Sequence, residues 1–243
     1  MAEMTGSGRA LLHSKPAQVG EIVALFVVAL VVIVLAMPLA GENPVASQGV
    51  VWVANILMLV MVWLGLRLRR QGWTHFGLSF GGASRRMVGR AVLRSLVVFV
   101  AAVAAFVVGA IVMANVVGIP EGADMSVYNY LSGNLPMLIL ALVGVYIVSS
   151  FGEEVVYRAF LINRIAELGG GGKTAWRVAV VISSVVFGFA HYGWGAMGIG
   201  QTGFMGLAFG VSYLVVGRNL WVLILAHAYM DTILMVQMYF AGG

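Results

Sequence analysis

Residues 20–40 read GEIVALFVVALVVIVLAMPLA. Glu21 stands near the start, and no further charge appears until Glu42. A helix rises about 1.5 Å per residue, so about 20 such residues cross the roughly 30 Å hydrocarbon core of a bilayer. The run is apolar on every face, whereas a barrel strand alternates polar and apolar over about ten residues. A transmembrane helix is the reading that remains. Runs of the same kind recur at 49–66, 91–118, 135–163, 176–192, 201–216 and 219–240. The expected fold is therefore all-α, a polytopic transmembrane helical bundle of about seven spans. No soluble domain fits between the runs. A polar N-terminal tail, 1–19, precedes one transmembrane domain, 20–243, whose core is expected over about 135–240. No small-residue cleavage site follows the first apolar run, so that span is read as retained.

Composition agrees. The chain is 61% hydrophobic and 9% charged, against about 45–50% apolar in soluble domains. Cysteine is absent, which removes disulfides and thiolate chemistry. The net charge of +5 suits basic cytoplasmic loops rather than nucleic acid. Arg9 and Lys15 precede the first span. Arg67, Arg69, Arg70, Arg85, Arg86, Arg90 and Arg94 lie in or beside the second connection. Arg164, Lys173 and Arg177 surround a GGGG turn, and Arg218 separates the last two spans. The alternate loops hold Glu42, Glu121 and Asp124 and no Lys or Arg. The positive-inside bias predicts N-in, C-out. The loop 67–90 mixes Arg with Trp and Phe, which suits either the anionic inner leaflet or an ordinary basic connection. Gly203, Gly206 and Gly210, with Gly217 one heptad on, form a face for close helix packing.

Ionisable residues inside such spans cost about 2.5–3.5 kcal/mol each and usually face the protein interior. Six remain once the loops and the interfacial Glu21 are set aside: Glu153, Glu154, Arg158, His191, His227 and Asp231. Counted inward from the basic anchors, those on three different helices reach similar depths, roughly 12–21 Å in. Glu154 and Arg158 are i, i+4 and can pair. Glu153 is turned about 100° away at 3.6 residues per turn and is left to face a cavity. His227 and Asp231 are also i, i+4. His191 lies one turn after Phe187.

Two chemistries suit these groups. In the first, Glu153 is a general base on a water that His191 also holds, and His227, held by Asp231, stabilises the oxyanion. In the second, Glu153, His191, His227 and Asp231 supply a zinc set with room for water. Spacing does not separate the two.

In order, the motifs are EEVVYR (Glu153, Glu154, Arg158), FGFAH (Phe187, His191) and HAYMD (His227, Asp231). This set resembles the CAAX-processing and bacteriocin-processing (CPBP, or Abi) intramembrane proteases, which include the type II CAAX prenyl endopeptidases. The resemblance covers about 80 residues. It implies a helical membrane peptidase acting on membrane-bound or lipid-modified polypeptides. Glu153 and His191 would activate the water, His227 and Asp231 would bind the oxyanion, and the Glu154–Arg158 pair would organise them. Prenyl-protease members commonly carry Asn at the last position. An ionised Asp accepts hydrogen bonds and does not donate them, so Asp231 is protonated, orients His227, or strengthens the metal case. The glycine-rich, cysteine-free chain reads as bacterial and as a multi-pass protein of the inner membrane. The expected partners are the bilayer and a substrate such as a peptide precursor or a membrane protein. A non-catalytic scaffold or chaperone of the same fold is the alternative, followed by a proton or metal transporter.

Overall fold

The computed structural model describes residues 6–79, 81–82, 84–119 and 125–241. The loop anions Glu121 and Asp124 lie outside that set. Among the described residues the structure is helical, without strands. Its helices are α1 (Gly6–His13), α2 (Lys15–Ala40), α3 (Pro44–Leu68), α4 (Arg85–Val117), α5 (Leu135–Val145), α6 (Asn163–Leu168), α7 (Lys173–Ala190), α8 (Gly195–Val215) and α9 (Leu220–Phe240). A π-helical segment, Tyr146–Ile162, joins α5 to α6 in one continuous rod.

The helix starts are written in the sequence. Asn43 Oδ1 accepts from the Val45 and Ala46 N–H groups at 3.0 and 3.1 Å, with Pro44 at the first helical position. Ser84 Oγ caps Met87 N–H and Asn134 Oδ1 caps Met137 N–H, each at 3.3 Å. Each cap satisfies donors that the first turn leaves free. Ser14 caps α2 through Ala17 N–H, so the first long helix begins at Lys15, inside the expected tail.

Six helices are long and apolar enough to cross a membrane. The seventh expected span, α8, is diluted by glycine and is not one of these six. Its start packs beside His191 and Trp194, and the turn beyond its end carries Arg218, which reaches Asn163. Gly206 and Gly210 do seat α8 against α7: a Cβ on either would stand 3.0 Å from Phe187 or 2.8 Å from Val180. Gly217 does not share that face. It lies past the end of α8 in a left-handed turn with φ 69° and open space around it.

The rod at the centre is buried on every side from Glu154 to Arg164, as expected of a helix wrapped by its neighbours. Val155, Phe160 and Ile162 meet Val62 of α3, Phe187 of α7 and Phe209 of α8 in one core. Leu93, Val97 and Val100 of α4, and Leu35 and Leu39 of α2, are instead mostly exposed. Apolar patches on soluble monomers rarely exceed a few hundred Å², so this outer surface is one for acyl chains.

The basic end of the bundle is more ordered than a set of surface loops. Glu21 pairs with Arg69 through both carboxylate oxygens and lies 3.9 Å from Arg164. Arg164 also holds Glu167 and Gln71. Trp73–Phe76 forms a 3-10 turn whose Phe76 is buried under the Arg164 guanidinium. The expected leaflet-lying loop is thus docked at this point. The cost of burying Arg69 and Arg164 is offset by charged partners rather than by water.

Candidate active site

The segment YIVSSFGEEVVYRAFLI, Tyr146–Ile162, carries the paired acids and is wound as a π-helix. Such winding, with i→i+5 bonds, usually occurs as single-turn bulges and often at functional sites. Gly152 allows the wider turn: a Cβ there would lie 3.3 Å from the Ile147 carbonyl. Successive side chains are then closer in angle than in an α-helix. Glu154 Oε1 reaches His227 Nδ1 at 2.8 Å and Glu153 Oε2 lies 4.0 Å from its Nε2. Both acids face α9.

His227, on α9, is the centre of the cluster. Its Nδ1 lies 2.8 Å from Glu154 Oε1. A carboxylate oxygen accepts, so Nδ1–H is the donor and Nε2 is turned to the other groups. Around Nε2 stand Ser149 Oγ at 3.3 Å, Asp231 Oδ1 at 3.8 Å and Glu153 Oε2 at 4.0 Å. The ring stacks on Phe209 at 5.5 Å and 30°. Sequence spacing predicted Asp231 as the group holding His227. Glu154 makes that hydrogen bond, while Asp231 Oδ2 accepts from Ser150 at 2.7 Å.

Arg158 Nη1 lies 3.0 Å from Glu154 Oε1, the expected i, i+4 pair. Both side chains are almost fully buried. The guanidinium is sandwiched between Phe187 at 4.1 Å and Phe209 at 5.0 Å, a cation–π arrangement strengthened by exclusion of water. Three carboxylates therefore stand within 4.0 Å of one imidazole, and one of them also pairs with a permanent cation.

His191 stands one ring away. Its Nδ1 donates to the Phe187 carbonyl at 2.9 Å, and its ring packs on Phe187 at 4.7 Å and on Trp194 at 5.1 Å. Among the described residues no hydrogen bond or ion pair joins His191 to Glu153. Phe187 packs against both Arg158 and His191. The expected convergence of three helices is thus direct for the rod and α9, and indirect for α7.

Ser149, Ser150 and Phe209 were not legible as site residues. The serines do precede the two glutamates by four residues each, but serine in an apolar helix is common. Phe209 sits between Gly206 and Gly210 on a face that reads as packing. Glu153 Oε2 is buried with no hydrogen-bond partner on the protein. Among the described residues no three His, Asp or Glu side chains form a metal-holding group. The four residues that sequence offers for zinc, Glu153, His191, His227 and Asp231, do not form such a group among the described residues, and His191 packs on Phe187.

Residues 135–233 match the family model described as Type II CAAX prenyl endopeptidase Rce1-like. This is the family that the three motifs resemble. The Rce1-like segment includes the rod, α7, α8 and most of α9, with all six ionisable residues of the site. Helices α2, α3 and α4 lie outside it. No curated protein and no solved structure matches the chain.

Proposed function

We propose that this chain is an intramembrane endopeptidase that hydrolyses peptide bonds of membrane-associated polypeptides. The observation that carries the reading is the free Glu153 Oε2, 4.0 Å from a His227 ring whose other nitrogen is fixed by Glu154. A polar gap of that width beside an unsatisfied carboxylate oxygen suits a bridging water. Glu153 takes a proton from the water as oxygen attacks the scissile carbonyl carbon. The new oxyanion is met by N–H donation from His227 Nε2, which needs the doubly protonated ring. Three carboxylates within 4.0 Å of its nitrogens offset that charge. The tetrahedral centre then collapses, the C–N bond breaks, and Glu153 returns the proton to the departing amine.

The other residues have supporting parts. Asp231, bound to Ser150 and acting as an acceptor, balances His227 rather than donating to the oxyanion. His191 keeps Nδ1–H on the Phe187 carbonyl, so its Nε2 carries a lone pair that can accept from the same water. The Glu154–Arg158 pair orients His227. The site lies in a membrane-spanning rod, so its substrate is a membrane-embedded or membrane-anchored polypeptide. The Asp at position 231 favours a peptide precursor or a membrane protein over a prenylated substrate.

The test compares new peptide termini in membranes carrying wild-type protein with those carrying Glu153→Gln at equal abundance, followed by cleavage of the resulting candidates by purified protein. Loss of a general base lowers rate by about 10²–10⁴. Termini that appear equally with both proteins would sink the hydrolase reading and favour a scaffold.

A further inference from the structure

A second polar concentration lies at the cytoplasmic end, between the start of α7 and the turn after α8. A cleft of about 540 Å³ is lined by Lys173, Trp176, Arg177, Leu214, Gly217 and Arg218. Three of these six residues are cations. Among the described residues none of the three forms an ion pair with an Asp or Glu. This contrasts with Arg69, Arg158 and Arg164, each of which has a carboxylate partner.

The walls are fixed. Trp176 Nε1–H donates to the Gly171 carbonyl at 3.1 Å. Arg218 lies over the Trp176 ring at 5.2 Å and donates to Asn163 Oδ1 at 3.1 Å. Its backbone is left-handed, φ 61°, directly after Gly217 at φ 69°. The turn is closed by Arg218 N–H to the Tyr213 carbonyl at 2.7 Å. Left-handed backbone is unfavourable for a side chain as large as Arg and persists where its surroundings hold it. Here the turn places a guanidinium against Trp176, opposite Lys173 and Arg177.

The surface beyond the cleft is apolar. Lys173, Arg177 and Val181 recur at four-residue intervals on α7, and Val211, Leu214 and Val215 share a face of α8. Val181, Val211 and Val215 are exposed, in the direction of the membrane interior. Three unpaired cations at the inner interface call for an anion, and an apolar track leading from them calls for a hydrocarbon tail. We propose that this cleft binds the phosphate headgroup of an anionic phospholipid of the inner leaflet, with its acyl chains along Val181, Val211 and Val215. A free phosphate would use the cations and leave the track empty.

The experiment uses the purified full chain and native mass spectrometry, with phosphatidylglycerol and phosphatidylcholine of identical acyl chains. Wild-type protein retains phosphatidylglycerol in preference. Lys173→Gln/Arg177→Gln removes two exposed cations without touching the packed Arg218. At about fivefold per cation, that double variant lowers the preference by roughly 30-fold. A melting curve matching wild type shows that the variant is folded, and a lower one transfers the comparison to the single variant Lys173→Gln, with a fivefold fall expected. Equal retention of both lipids by wild type, or an unchanged preference in the variants, overturns the proposal. Displacement of the lipid by an equimolar amount of inorganic phosphate overturns it too, because the cleft would then be a free-anion site.

Discussion

His227 and Glu154 share a 2.8 Å hydrogen bond across two helices, and the same Glu154 oxygen lies 3.0 Å from Arg158. One carboxylate thus holds the imidazole and balances the guanidinium. Removing it leaves a buried Arg158 unpaired, a change that costs about 3–5 kcal/mol. Glu154→Gln should therefore lower the melting temperature in detergent sharply. Glu153→Gln, at a group whose nearest ion partner is 4.0 Å away, should leave it nearly unchanged. Equal melting losses would mean that both acids are structural.

Asp231 accepts from Ser150, whose hydroxyl is buried. Asn at that position keeps an acceptor, whereas Ala leaves a donor unsatisfied at about 1–3 kcal/mol. Asp231→Asn is expected to fold like wild type and retain measurable cleavage. Asp231→Ala should lose stability, and Ser150→Ala should lose less. Denaturation midpoints for the three variants check the order.

His191 contributes one hydrogen bond to a backbone carbonyl and two ring contacts. Its replacement by Ala should cost about 1–2 kcal/mol of stability, while cleavage falls by about 10² or more. Phe187→Ala should differ, since a fully buried ring under Arg158 is lost, at about 3–5 kcal/mol. Parallel melting and cleavage assays separate the two. A His191→Ala protein with full activity would remove α7 from the mechanism.

Gly188 faces α8 so closely that a Cβ would stand 2.7 Å from the Ile199 carbonyl and 3.2 Å from Gly203 Cα. Gly188→Ala should push α7 from α8, cost about 1–3 kcal/mol, and reduce cleavage by displacing His191 three residues on. Gly193→Ala meets nothing within 4 Å and serves as the matched control. Equal loss in both variants would show that the Gly188 contact is not the cause, because alanine is the better helix former.

Glu21 is the anion between two buried arginines. Glu21→Ala should destabilise the chain by about 3–5 kcal/mol, although it lies far from His227 in sequence and at the other end of the rod. Scanning calorimetry of the variant is the measurement. An unchanged transition would show that water replaces the carboxylate.

Much of this was readable from residue order. The run at 20–40 announces a membrane helix because every face is apolar, and positive-inside sorting orients the whole bundle. EEVVYR, FGFAH and HAYMD mark the site because ionisable groups in apolar spans are costly. The Glu154–Arg158 pair follows from i, i+4 spacing and survives the change of winding. What spacing could not supply was the winding itself. A π-helix has no composition of its own here, so spacing did not show that Glu153 and Glu154 both approach His227. Glu21 read as an interfacial residue because its partners, Arg69 and Arg164, come from distant helices.

Local sequence determined the class of fold, the expected orientation in the membrane and the set of ionisable side chains placed in the spans, because burial cost and periodicity act along the chain itself. Only the packed bundle decided which acid holds His227, that Phe187 packs against both Arg158 and His191, and that Arg218 turns back upon Trp176. Those outcomes depend on distances between separate helices, which close packing fixes and which no single stretch of sequence encodes.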